Sequence, residues 1–190
     1  MSSEFGRIKR EDISEIIEGI CKLPARERTA LKRCCGKLLK DADAGATMAF
    51  YQVYSLPANL DWTKDRLFTV ACMRCMWDVL GEEDGEEEKT VPIEKVLYKK
   101  RRELEEKDSG GWSGMERRLL RLLDRKWDRD GILCTDLWRM VKQMKNEGNI
   151  IDMVSLGWDL CNWNAEGRKV QQHWLQVCYQ KKKEEEKNAD

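Results

Sequence analysis

Apolar residues recur along nearly the whole chain at the three- and four-residue spacing of amphipathic helices. Ile13, Ile16, Ile17 and Ile20 share one side of a helix predicted over Glu11 to Ile20. Pro24 precedes the next run, where proline fits a first helical turn without losing a hydrogen bond. That second helix is predicted over Ala25 to Lys40. Leu31, Cys34, Cys35 and Leu38 form its apolar stripe, with Arg26, Arg33, Lys37 and Lys40 opposite. Ala44 to Leu56 reads as a buried helix stopped by Leu56-Pro57, and Asp61 as the cap of a helix from Trp62. Between Leu67 and Leu80 only Arg74 and Asp78 are charged. Lying four apart, they share one narrow wet edge, so this helix belongs at the centre of the fold.

The second half restarts after an acidic run, Glu82 to Glu88, and a charged helix predicted over Ile93 to Lys107. Ser109-Gly110-Gly111 marks a joint. It suggests an N-terminal region over 1–110, a C-terminal bundle over 111–183 and a charged tail over 184–190. Ser113 and Glu116 have capping-box spacing. Met115, Leu119, Leu122 and Leu123 then face inward, and Arg117, Arg118, Arg121 and Arg125 outward. Beyond Asp130-Gly131, Leu137, Val141 and Met144 line a helix whose Arg139 and Lys142 point elsewhere. Gly148 terminates it, Asp152 caps another through Trp163, and Val170, Trp174, Val177 and Cys178 line the last. The expected fold is all-α, an N-terminal helical layer followed by a C-terminal four-helix bundle.

Composition narrows the setting. A chain of 190 residues buries about 70% of the surface it exposes when unfolded. Its 41% of apolar residues, regularly spaced, excludes a disordered chain. The longest uncharged stretch, Ala44 to Leu60, is too short and too polar to span a bilayer, and no apolar segment near the N-terminus marks secretion. A soluble cytoplasmic protein is expected. Its eight cysteines, most at apolar helical positions, then read as free core thiols.

Catalytic arrangements fail on inventory. His173 is the only histidine; Asp159 is a notional partner, but no G-x-S-x-G elbow accompanies them. Cys72 and Cys75 form a lone C-x-x-C in the most apolar helix, away from the exposed helix start that redox pairs use. Zinc would need two further ligands, for example Cys34 and Cys35. The acidic run lacks the alternating ligands of a calcium loop, and phosphate-loop, H-E-x-x-H and dinucleotide patterns are absent. No catalytic residue, metal or cofactor is assigned.

Charge distribution points elsewhere. Thirty-five Lys plus Arg balance thirty-five Asp plus Glu, yet Lys22 to Lys40 holds seven basic residues and one acidic, a local +6. Met115 to Lys145 holds nine basic and five acidic, a local +4. Basic side chains opposite an apolar stripe face solvent or a partner, and arginine forks suit phosphate. Ordinary solvated helix faces carry such charges too, so the spacing leaves a protein-only helical scaffold open beside a nucleic-acid backbone reader. Trp77, Trp138 and Trp174 fit apolar stripes, whereas Trp62 and Trp112 lie near helix starts, where burial is the default and exposure would let them serve an interface or stack on a base. A helix-turn-helix repressor is a third reading, disfavoured because the exposed stripes suit phosphates better than base edges.

Five short signatures occur in order. They are Glu27-Arg28-Thr29-Ala30-Leu31-Lys32-Arg33 with Gly36, then Phe50-Tyr51 followed by Leu56-Pro57, and Arg117-Arg118-Leu119-Leu120-Arg121-Leu122-Leu123-Asp124. Asp159-Leu160 with Trp163 follows, and then Val170, Trp174 and Tyr179. Over roughly Arg26 to Tyr179 the chain resembles the Cse2 or CasB family, the small helical subunit of the type I-E CRISPR surveillance complex Cascade. The resemblance implies a non-enzymatic subunit present as two copies beside other Cascade subunits. It would help hold the guide RNA and target DNA, including the displaced strand of the R-loop, while base pairing reads the sequence. It implies phosphate-binding roles for Arg28, Arg33, Lys37, Arg117, Arg118, Arg121 and Arg125, with Arg139 and Lys142 in support. Arg28 and Arg117 lie nearer the sides of their helices. Trp163 and Trp174 match framework positions. The acidic run and the balanced total charge depart from the family pattern.

Overall fold

A computed structural model describes residues 7–77, 90–106 and 111–180. The acidic run Glu82 to Glu88, the joint at Ser109-Gly110 and the tail from residue 184 lie outside the described residues. Helices dominate: α1 (Arg10–Lys22), α2 (Ala25–Arg33), α3 (Ala44–Val53), α4 (Lys64–Arg74), α5 (Ile93–Glu106), α6 (Gly111–Asp124), α7 (Ile132–Asn146), α8 (Met153–Cys161) and α9 (Lys169–Tyr179). Among the described residues the extended pairing is a single parallel bridge, Val91 with Ile151. It ties the entry of α5 to the entry of α8. The fold is all-α.

Local chemistry sets most boundaries. The Lys9 amide donates to Asp12 Oδ2 at 2.8 Å, fixing the first turn of α1. Asp43 and Asp152 each accept an amide three residues on, at 2.9 Å, and cap α3 and α8. The α2 helix stops at Arg33, well before the expected Lys40. Gly36 takes φ +83°, and a Cβ there would lie 2.9 Å from the Trp138 ring. The periodic stripe continues through Cys34 and Leu38, both buried, but as a turn. A second difference is at α6, which begins at Gly111, so Ser113 lies inside the helix and not at its cap. Asp61 falls within a 3-10 turn, Ala58–Thr63, that leads into α4.

Helix α4 is central, as its composition requires: Leu67 to Met73 are all buried. It packs against α1, α2, α7 and α8. Gly157 of α8 is small for a spatial reason, since a Cβ there would meet Ile13 Cγ2 at 2.9 Å. That absence lets α8 lie close on α1. The four helices expected after Gly111 are present as α6 to α9, and their packing partners include earlier helices: α6 lies against both α5 and α7, and α9 against α5. Trp163 and Trp174 meet edge to face at 5.3 Å, both almost fully buried. One contiguous apolar cluster runs from Ile8 to Cys178.

All eight cysteines are free, and six of them are buried. Burial pushes the Cys35, Cys75 and Cys161 thiols up to about 12, which keeps them protonated and unreactive. Cys35 donates to the Cys72 carbonyl at 3.1 Å, as a packed core thiol does. Trp112 is buried and Trp62 half-buried, with the Arg66 guanidinium between the Trp62 and Trp127 rings.

Candidate nucleic-acid interface

Helix α6 carries a sharply divided sequence: Met115, Leu119, Leu122 and Leu123 are buried, while Arg117, Arg118 and Arg121 are exposed. Helix α7 packs beside it and contributes Arg139 and Lys142, also exposed. The two helices enclose a cleft of about 110 Å³ lined by Arg118, Arg121 and Arg139, with Met115 and Met140 as its apolar part. Arg118 reaches across to α7, where Nη1 donates to Gln143 Oε1 at 2.9 Å. Asp136 organises the other end. Its Oδ2 accepts from Arg125 Nε at 3.0 Å, and its Oδ1 lies 3.6 Å from Arg139 Nη1.

These contacts sort the cations into two kinds. Arg125 is half-buried and tied to Asp136, so it braces α6 against α7. Arg117, Arg118, Arg121 and Lys142 have no carboxylate partner among the described residues and remain available to an anion. Lys142 lies 5.3 Å over the Trp138 ring, which covers its stem and steers its ammonium group. Trp138 is therefore half-buried at the surface and not a deep core residue. Gln143 and Asp136 are members of this site that periodicity does not reveal. Only the three-residue step from Asp136 to Arg139 is visible locally; the Arg125 pairing spans a loop.

The first basic segment reaches the same helix through its backbone. At the Gly36 turn, the Gly36 carbonyl accepts from Thr135 Oγ1 at 3.0 Å and the Lys37 carbonyl from Cys134 Sγ at 3.3 Å. The exposed Lys37 thus projects from a turn held on α7. Arg33 is exposed on α2, close enough to Asp43 to help hold that carboxyl below its ordinary value, chiefly set by the Ala46 amide. Arg28 sits differently. It is half-buried, and Nη1 donates to the Cys21 carbonyl at 3.0 Å near the end of α1. Lys40 is also engaged, donating to the Arg129 carbonyl at 2.8 Å.

The four consecutive cations Lys99 to Arg102 are engaged within the fold. Lys99 pairs with Glu103, Lys100 with Glu147, and Arg102 with Glu105 and Glu106. Arg101 donates to the Cys178 carbonyl at 3.1 Å and covers Tyr179, locking α5 onto α9. This leaves α6, α7 and the Gly36 turn beside them with an exposed cationic surface made of Arg117, Arg118, Arg121, Lys142 and Lys37. Such a surface can accept phosphates without reading bases.

A family model described as CRISPR-associated protein Cse2 matches residues 27–179. The chain belongs to the Cse2 family. Every cation of the α6–α7 cleft lies inside the matched span. Solved structures share the fold: M. ruber CasB, with a TM-score of 0.63 and 18% identity, is covered over 94% of its chain and covers 91% of this one. CasB from Thermus thermophilus gives 0.61 at 23% identity, with 91% of this chain and 99% of that chain covered. A chain of a CRISPR RNA-guided surveillance complex gives 0.62 at 18% identity, covering 89% and 92%. No curated protein sequence matches. Among the described residues no helix is long and apolar enough to cross a membrane.

Proposed function

We propose that this Cse2-family protein is a non-catalytic subunit of a CRISPR RNA-guided surveillance complex that grips nucleic-acid phosphates through the α6–α7 face. The convergence of Arg118, Arg121 and Arg139 from two helices on one cleft carries this reading. Arg117 and Lys142 extend the surface, and Arg33 and Lys37 are candidates for its continuation from α2; the half-buried Arg125 serves as a brace. Held beside other subunits and a second copy of itself, the face would steady the displaced strand of an R-loop next to the guide RNA and target DNA. Guide pairing supplies sequence choice, so the subunit needs only backbone affinity.

The test is single-stranded DNA binding by fluorescence anisotropy over a range of salt, with the Arg117→Ala/Arg118→Ala/Arg121→Ala triple variant. Losing three phosphate contacts should lower the log–log salt slope by about 2, equally for unrelated sequences. An unchanged slope refutes the assignment of this face. A second reading, a helical protein–protein adaptor without nucleic-acid contact, draws on α3, whose Met48 and Tyr51 are 58% and 48% exposed in an uncharged helix. Charged substitution at Met48 that blocks assembly, together with an unchanged salt slope in the triple variant, would favour it.

A further inference from the structure

A second concavity, of about 550 Å³, is lined by residues of α1, α5, α8 and α9. It shares no residue with the α6–α7 cleft. Its volume is in the range of sites for single small molecules. Two carboxyl groups line it, Glu94 from the first turn of α5 and Asp159 from α8. Glu94 is only 7% exposed, and its Oε1 lies 3.6 Å from His173 Nε2, an ion pair only when the imidazole is protonated. Asp159 Oδ2 accepts from Trp174 Nε1 at 2.7 Å, while its other oxygen has no donor among the described residues. Neither carboxyl has an oxygen both sealed from solvent and unpartnered, so the open lone pairs at this cavity are ones a ligand's N–H can fill in place of water.

The rest of the lining has a different character. Trp158 supplies an aromatic wall, and the Arg10 guanidinium lies 5.6 Å over its ring. Lys95 and Lys169 are exposed at the rim. The pocket is thus acidic in its buried part and basic at its mouth. A basic side chain from a partner protein would satisfy the carboxylates but must pass the cations. A nucleotide satisfies both zones, because its base edge donates while its phosphate stays outside. Guanine suits two carboxylates best among the bases, since its N1–H and 2-amino group donate side by side on one edge. Its flat ring also matches the indole and guanidinium planes.

We propose that this pocket binds a guanine nucleotide base-first, with the base edge donating to Asp159 and Glu94 and the phosphate at Lys95 and Lys169. The site stands apart from the phosphate-gripping reading of α6 and α7. The source of the nucleotide, free or within a strand, is left to the ligand arms of the test.

Isothermal titration of the full-length protein with GMP and with UMP near neutral pH tests it. GMP should bind at least tenfold more tightly than UMP, the worth of one hydrogen bond to a charged group. Asp159→Asn preserves an acceptor for Trp174 and should weaken GMP about tenfold and UMP less; thermal unfolding verifies that the variant is folded. Lys169→Glu, a surface change, should also weaken GMP. The Arg117→Ala/Arg118→Ala/Arg121→Ala variant should bind GMP as before, which separates failure of this site from failure of the other. A pentanucleotide with one central guanine among thymines is compared with an all-thymine one. Tighter binding of the former than of GMP identifies a strand as the source, and no gain over GMP identifies the free nucleotide. Equal affinity for GMP and UMP together with equal affinity for the two pentanucleotides overturns the proposal, as does an Asp159→Asn variant that is folded and binds GMP normally.

Discussion

Asp159 gives a stability experiment whose sign follows from its surroundings. Burial pushes this carboxyl up from 3.8 to about 6, opposed by the Trp174 hydrogen bond and reinforced by the charge of Glu94. The folded protein therefore binds a proton more tightly here than the unfolded chain does. The resulting stabilisation is full below about pH 4, is lost as pH rises through about 6, and is absent at neutral pH. At about 1.4 kcal/mol per pKa unit, a rise from 3.8 to about 6 corresponds to ~3 kcal/mol. Asp159→Asn removes the ionisation while its amide oxygen still accepts from Trp174. Urea unfolding of the wild type and this variant across pH 4 to about 7 measures the effect. The stability difference between them should shift in favour of the variant by up to ~3 kcal/mol over that interval, roughly 10 °C in Tm for a chain of this size. Parallel stability curves would show that Asp159 ionises freely in the folded state and would refute the reasoning.

Two other substitutions probe the rest of the structure. Asp136→Asn keeps the shape of the brace between Arg125 and Arg139 but removes the carboxylate from the α6–α7 cleft. At about 7 Å in water a unit charge acts with ~0.6 kcal/mol, so single-stranded DNA should bind roughly threefold more tightly at low salt, with the difference fading at high salt. Anisotropy titrations that show weaker binding would mean the brace matters more than the charge. Gly157→Ala places a methyl group 2.9 Å from Ile13 Cγ2, and separating α8 from α1 to admit it should cost about 1–3 kcal/mol in denaturant unfolding.

What periodicity reveals here is whatever repeats along one helix. The four isoleucines of α1, the inward leucines of α6 and the almost uncharged run that becomes α4 were all legible, because a buried face must recur every three or four residues. The arginine face of α6 was legible for the complementary reason. The length of α2 was not: Cys34 and Leu38 keep helical spacing while Gly36 turns the backbone so that Trp138, a hundred residues later, can pack on it.

Charge needed the tertiary structure most. Lys99 to Arg102 look like the α6 arginines in sequence, yet the former are paired by Glu103, Glu105, Glu106 and Glu147 or by the α9 backbone, and the latter have no carboxylate partner among the described residues. Arg125 looks like its neighbours until Asp136 arrives from the next helix. The pocket of Arg10, Glu94, Asp159 and His173 draws on four helices and leaves no local pattern at all. Spacing along the chain prescribes most of the helices and the dry face of each, since burial recurs with the helical period. Which charges are spent within the fold and which remain for a partner follows from how the helices pack, because electrostatic pairing depends on distance in space and not along the chain.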